Sequence, residues 1–350
     1  MMNVAMILPS LSHKGPILVA KNIVSGIRHK VNSVDVYYFD NIIEVEFDCP
    51  TYRINISDKI NFEKYDIIHS HGYRPDRYIW RNRKSIPGKT VSTVHSDIRK
   101  DLFFDYGFFV SFLFRWIWLY FLKKQDKVVV LTKHVMKTYY SKHIPSEKLV
   151  YIYNGRKIDK NSVIDERDTI LINSLKKEHI KIIGVNAILT KKKGLHHIIT
   201  ALPYLPDYAF IVIGKGKEEQ NLIDLSEKLK VKDRCYFLGF KSNAASYLGF
   251  YDVYAMPSVS EGFGLALIEA ALAQCSCVCS DIPVFHELFS DDEVVFCNPN
   301  DPFVVSLAIK EAYSERKRYG ENSCRKAKTS YTVEKMGGHY FDLYKSLLLN

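Results

Sequence analysis

Short apolar runs alternate with longer helical stretches along the whole chain. In the first half, Asn3 to Leu8, Val34 to Phe39, Asp66 to His71, Lys89 to His95 and Lys127 to Thr132 read as strands, most of them continuous Val/Ile runs. Helices are predicted over Pro16 to Arg28, Pro75 to Lys84, Asp101 to Lys124 and His134 to Lys142, the first with Pro near its opening turn. The second half repeats the pattern with strands at Ile180 to Leu189, Tyr208 to Gly214, Arg234 to Phe240, Val253 to Pro257, Cys275 to Ser280 and Glu293 to Cys297. Continuous apolar strands alternating with helices predict parallel sheets covered on both faces. Asn154-Gly155-Arg156-Lys157 and the polar stretch to about Lys177 read as a linker. The expected fold is therefore α/β, with two doubly wound domains, 1–157 and 178–330, facing a cleft.

The densest chemistry lies where the apolar run Asp252 to Pro257 meets Ser258-Val259-Ser260-Glu261-Gly262-Phe263-Gly264-Leu265-Ala266-Leu267-Ile268-Glu269. This reads as a buried strand, a tight glycine-containing turn and the start of a helix. Such a corner leaves backbone N–H groups pointing outward, able to hold hydroxyls or phosphates beyond the sheet. Glu261 falls on the turn and Glu269 about two helical turns later. In isolation such a pair reads better as solvated carboxylates at a helix start. The apolar Ala270-Ala271-Leu272-Ala273 that follows Glu269 would be buried, however, and a carboxylate opening a buried helix needs a partner.

Ligands of doubly wound sheets bind beyond the strands' carboxyl ends, where the loop Ser10 to Gly15, His71-Gly72 and His95-Ser96 all fall. Of these, His95 is the stronger candidate for a polar contact in the cleft. A zinc site at His69 and His71 lacks a third ligand nearby. Lys191-Lys192-Lys193-Gly194, at the first strand-to-helix turn of the second domain, is either a solvated basic loop or a diphosphate clamp opposite Glu261. Gly214-Lys215-Gly216 resembles part of a phosphate loop. The chain has no Asp-x-Asp, which argues against a nucleotide held through a chelated divalent ion, and no metal is expected.

Composition narrows the setting. With 350 residues and 47% hydrophobic content, the chain can bury two cores of ordinary size. A net charge of +10 favours anionic partners without choosing among nucleotides, nucleic acid and acidic lipid. No basic-aromatic interleaving supports a nucleic-acid partner. Seven cysteines inside apolar runs point to reduced thiols in a cytoplasmic setting, and the N-terminus lacks a secretory pattern. Cys275, Cys277 and Cys279 alternate on one strand face and read as small buried hydrophobes rather than metal ligands. Phe103 to Leu122 is apolar nearly all round, but Arg115 near its middle would cost about 2.5–3.5 kcal/mol in a bilayer centre. A buried helix and a helix partly exposed at a membrane interface both remain open for it.

Ser260-Glu261-Gly262-Phe263-Gly264 through Glu269-Ala270 resembles the Glu-x7-Glu signature of retaining glycosyltransferases with two Rossmann-like domains, the GT-B type, family 4. Looser matches in the same order cover almost the whole chain, from Asp66 to Gly72 through Thr93-Val94-His95 and Lys193-Gly194 to Ser280-Asp281-Ile282-Pro283. The resemblance implies that Glu261, beside Gly262 and the backbone N–H groups of Phe263, Gly264 and Leu265, holds the donor sugar and its phosphate. It implies that Glu269 binds the ribose hydroxyls and that Lys193 stabilises charge on the departing diphosphate. Gly15 would let the first loop approach closely, Gly214 would line the nucleotide site, and His95 would contact the donor sugar from the opposite domain. Residues 331–350 resemble the helix that crosses back to the first domain, with Met336, Tyr340, Leu343, Tyr344 and Leu347 at helical spacing.

Implied as well are a nucleotide-sugar donor, UDP- or GDP-linked, used as substrate with no cofactor, and a lipid-linked saccharide acceptor. The setting would be peripheral, on the cytoplasmic face of the plasma membrane, in bacterial surface polysaccharide assembly. Three positions depart from the family: Ile188 stands where an Arg is usual, Gln274-Cys275-Ser276 replaces Gly-x-Pro, and Gly15 precedes Pro16 where a glycine pair is usual. A nucleotide-sugar epimerase of the same architecture, or an inactive nucleotide-sugar-binding subunit, is the alternative.

Overall fold

The computed structural model describes residues 2–95, 97–159 and 163–349, and the side chains of all of these except 99–109. The chain forms two compact units, residues 1–156 with 331–350, and residues 157–330. The first unit begins with β1 (Asn3–Leu8), α1 (Gly15–Ile27), β2 (Ser33–Tyr38), β3 (Thr51–Arg53), β4 (Ile67–His71), α2 (Tyr73–Asn82) and β5 (Lys89–Val94). It continues through α3 (Ile98–Lys123), β6 (Lys127–Val130), α4 (Lys133–Thr138) and β7 (Leu149–Tyr151). Its strands pair in the order β3-β2-β1-β4-β5-β6-β7, all parallel. Val4 to Leu8 and Ile67 to His71 are buried, as strands covered on both faces require.

The second unit comprises α5 (Glu166–Lys177), β8 (Lys181–Asn186), α6 (His196–Ala201), β9 (Tyr208–Ile213), α7 (Glu219–Lys228), β10 (Cys235–Gly239) and β11 (Val253–Met256). It is completed by α8 (Leu265–Leu272), β12 (Ser276–Ser280), α9 (Pro283–Leu288), β13 (Val295–Cys297), α10 (Pro302–Ser314) and α11 (Arg316–Ser330). Its parallel sheet has the order β10-β9-β8-β11-β12-β13. Both sheets thus carry the Rossmann order, which reverses direction between β1 and β4 in one unit and between β8 and β11 in the other. Within each sheet, the loops leaving the carboxyl ends at its own reversal are where ligands of such sheets bind. The last helix, α12 (Val333–Leu349), belongs to the first unit and buries Met336, Tyr340, Leu343, Tyr344 and Leu347 there.

Residues expected as linker include a helix. The second half of the polar stretch to Lys177 is α5, which buries Asp168, Ile172 and Leu175 at helical spacing and lies inside the second unit. Its many charged residues hide the two buried apolar positions, Ile172 and Leu175, from a composition-based reading. Strand β3 lacks an apolar run, since Thr51–Arg53 is exposed throughout, and β7 has only the three residues Leu149–Tyr151. All seven cysteines are free thiols, and burial pushes Cys277 and Cys279 well above the usual range. Among the described residues no helix is long and apolar enough to cross a membrane.

Candidate active site

The second unit assembles the candidate site from the loops at its reversal point. After β11, the chain runs through Pro257 to Phe263 and enters α8 at Gly264, whose φ of +85° lies in the left-handed region. A Cβ there would stand 2.7 Å from Cε1 of buried Phe285, so both backbone and space demand glycine. Gly264 supplies no side chain to cap α8, and the first turn of α8 contains no acidic residue. The opening N–H groups at Leu265 and Ala266 therefore face the loop side of the sheet, the arrangement that attracts an anion. Glu269 follows one turn further, near enough to Tyr254 that, after burial, its charge helps raise that phenol.

After β8, the chain forms a single 3-10 turn at Lys191–Lys193 and stops at Gly194, with φ +65°. A Cβ on Gly194 would lie 2.1 Å from the carbonyl oxygen of Pro257, so glycine lets the two loops touch. Val259 N–H donates to the Lys192 carbonyl at 2.9 Å and ties them further. These backbone contacts place Lys193 Nζ 2.6 Å from Glu261 Oε1, with side chains only 22% and 9% exposed. Lys193 also lines a small recess with Asn186, Tyr254 and Ser258. The Ser258 hydroxyl is fully buried there without a hydrogen-bond partner among the described residues. The sequence places Ser258 at the head of the Glu261 stretch but gives it no role, because a serine before the turn carries no pattern of its own.

Gly214 lies directly after β9. Its N–H donates to the Gly239 carbonyl at 2.8 Å, and a Cβ would collide with the Ala187 carbonyl at 1.8 Å. Gly214 thus lets the loop after β9 pack closely against the loop after β8. Ile188, between those packed residues, is 59% exposed. Gly262 and Phe263 are buried in the turn beside Glu261.

In the first unit, Gly15 is the first residue of α1, followed by Pro16, at the end of the loop leaving β1. His95 follows β5 directly and is half-buried. Its Nε2 lies 2.9 Å from Nδ1 of His71, and the two rings stack with centroids 5.1 Å apart. Burial holds His69 and His95 down to about 3 and His71 well below the usual imidazole range, so all three are neutral near pH 7. Among the described residues no group of three His, Cys, Asp or Glu is placed to hold a metal ion.

Two family descriptions match: Glycosyltransferase Family 4 over residues 43–160 and Glycosyl transferases group 1 over residues 166–328. The chain is 31% identical to the Escherichia coli O-antigen biosynthesis glycosyltransferase WclY, covering 99% of each. It is 23% identical to an Escherichia coli UDP-Gal:alpha-D-GlcNAc-diphosphoundecaprenol alpha-1,3-galactosyltransferase, over 85% of this chain and 79% of that one. Among solved structures, Anabaena HepE in complex with UDP and glucose superposes with a TM-score of 0.82 at 16% identity, over 99% of this chain and 100% of that one. That likeness is one of fold.

Proposed function

The chain belongs to the GT-B glycosyltransferases, and from that membership we propose that it is a retaining enzyme moving a sugar from a nucleotide diphosphate donor to a lipid-linked saccharide in surface polysaccharide assembly. The observation that carries the reading is the contact between Lys193 and Glu261 at the reversal point of the second sheet. Rupture of a sugar–phosphate bond builds negative charge on the diphosphate and positive charge on the anomeric carbon, so fixed cations and N–H donors beside the leaving group are the main lever. Lys193 Nζ and the opening N–H groups of α8 are such donors. Glu261 accepts hydrogen bonds from the sugar hydroxyls, and Glu269 from the ribose. Before the donor arrives, Lys193 and Glu261 neutralise one another. Donor binding exchanges this contact for one between Lys193 and phosphate oxygens.

Retention follows if the acceptor hydroxyl attacks the face from which the diphosphate leaves, with a leaving phosphate oxygen taking its proton. This route needs no carboxylate nucleophile, unlike the paired carboxylates of retaining glycosidases. His95 contacts the transferred sugar. The undecaprenol-linked acceptor and UDP-Gal donor in the name of one relative favour a UDP-sugar and a polyprenyl-diphosphate saccharide here too.

A peripheral membrane setting is supported by α3. Its residues Phe112, Leu113, Trp116, Ile117 and Tyr120 form one face and are 37–65% exposed, next to Lys123 and Lys124. An exposed aromatic face of this kind beside cations suits the headgroup region of an anionic bilayer. Phe108, within the apolar stretch Phe103 to Leu122, has its side chain outside the described residues. The decisive assay supplies UDP-, GDP- and ADP-sugars with a polyprenyl-diphosphate saccharide and reads the new linkage by NMR. A product with the donor's anomeric configuration is expected; inversion overturns the retaining route. An epimer formed from UDP-N-acetylglucosamine alone would favour an epimerase instead.

A further inference from the structure

His69 and His71 alternate along β4, so both point to one face of the first sheet. Register pairs His71 with Thr93 on β5, which puts Thr93 and His95, two positions later, on that same face. The terminal helix α12 covers it with two tyrosines one turn apart. Tyr344 Oη lies 2.6 Å from His69 Nδ1, His69 Nε2 lies 2.8 Å from Thr93 Oγ1, and Thr93 Oγ1 lies 2.9 Å from Tyr340 Oη. His69 is thus satisfied at both nitrogens. His71 is satisfied at one only: Nδ1 faces His95 Nε2, while its buried Nε2 meets no partner among the described residues.

We propose that His71 is a positioning residue that holds His95 in the tautomer with its proton on Nδ1, so that His95 presents an N–H donor. The inference rests on the reading that His95 touches the transferred sugar. Both rings are neutral, so across their contact one nitrogen donates and the other accepts. If His95 Nε2 donated, the proton of His71 would sit on its buried Nε2 as an orphaned N–H. If His71 Nδ1 donates, only a lone pair is left unpartnered there, and orphaned donors are the rarer of the two in protein interiors. The assignment follows from the partners each nitrogen can find. His95 Nε2 is then an acceptor and Nδ1 carries the hydrogen. A His95 free to exchange tautomers would offer a donor only part of the time. His71 is packed between His69, tilted against it with centroids 4.4 Å apart, and His95, stacked at 5.1 Å, which holds the orientation of the row.

The test combines a spectrum with a mutant cycle. In uniformly 15N-histidine-labelled wild-type protein, imidazole 15N shifts should report a protonated Nδ1 and an unprotonated Nε2 for His95. His71→Phe should give exchange-averaged shifts and lower kcat about 10- to 100-fold with KM nearly constant, and His71→Asn, whose amide nitrogen can stand near the Nδ1 position, should recover most of it. Kinetics use the nucleotide sugar that a melting screen over UDP-, GDP- and ADP-linked glucose, galactose, mannose and N-acetylglucosamine selects. In a His95→Ala background, His71→Phe should change kcat less than about twofold, since it acts through the missing ring. A wild-type His95 protonated at Nε2, or equal losses from His71→Phe in both backgrounds, overturns the inference about His71 alone. His95→Ala without effect on transfer overturns the assignment of His95 itself.

Discussion

Lys193 Nζ stands 2.6 Å from Glu261 Oε1, joining the loops that leave two neighbouring strands of the second sheet. Both side chains are mostly withdrawn from water, so removing either leaves the other partly desolvated. Lys193→Ala or Glu261→Ala should therefore lower stability by about 1–3 kcal/mol and transfer by about 100- to 1,000-fold. The reversed pair, Lys193→Glu with Glu261→Lys, separates the two effects. Urea denaturation should find much of the stability restored, while transfer stays lost because the cation no longer faces the diphosphate. Recovered activity in the reversed pair would refute the assigned roles.

Gly194 decides whether those loops can meet. Alanine there would be strained at φ +65° and would drive its Cβ to 2.1 Å from the Pro257 carbonyl. The left-handed conformation alone costs about 1–2 kcal/mol for a residue with a side chain. Gly194→Ala should lower the melting temperature and weaken UDP or GDP binding together, read by calorimetry on one preparation. A variant that melts and binds like the parent would show that the loop contact is dispensable.

Much of this could be read from the chain beforehand, and the gaps have physical causes. Buried parallel strands such as Val253–Met256 and Tyr208–Ile213 announce themselves as unbroken apolar runs, and the two-unit α/β fold with its Rossmann sheets is as expected. The turn at Glu261 was legible because two glycines and two glutamates recur around a strand-to-helix corner. Helix α5 was not, because one of its three buried positions is Asp168 and only Ile172 and Leu175 are apolar, within a run rich in charge. The approach of Lys193 to Glu261 depends on a contact between residues 68 positions apart, which no local pattern encodes. The close approach of Gly214 to the Ala187 carbonyl is likewise a contact between loops that its phosphate-like motif does not announce.

Asp76 gives the first unit a pH-dependent stability. Its carboxyl is completely buried and, mainly for that reason, is raised from 3.8 to about 6, against hydrogen bonds from Ser70 Oγ at 2.6 Å and Trp118 Nε1 at 2.7 Å. Because the folded value lies above the unfolded one, its contribution is greatest below pH 4 and is lost as pH rises through 6. The difference corresponds to about 3 kcal/mol. Asp76→Asn should flatten this component between pH 4 and 7, its amide donating to Ser70 Oγ, which can itself donate to the Val91 carbonyl. Urea denaturation followed by tryptophan fluorescence compares the two proteins; parallel pH profiles would refute the assignment.

The exposed face of α3 predicts membrane association. Leu113, Trp116 and Ile117 are 65%, 42% and 37% exposed, and each apolar side chain buried in a headgroup region contributes about 1.5–3 kcal/mol at most. Replacing all three by Ser should reduce flotation with phosphatidylglycerol vesicles by at least about tenfold while leaving the melting temperature within a few degrees. Unchanged flotation would remove α3 as the contact.

The account stands most directly on donor binding at the Lys193–Glu261 corner. Melting curves of the wild-type protein and of Lys193→Ala, each titrated with UDP-, GDP- and ADP-linked sugars, measure it, because a ligand bound by the folded state alone raises the midpoint. The expected result is one nucleotide sugar that raises the wild-type midpoint in a saturable way and raises that of Lys193→Ala far less. Equal rises in both proteins, or no rise with any of these donors, would contradict it.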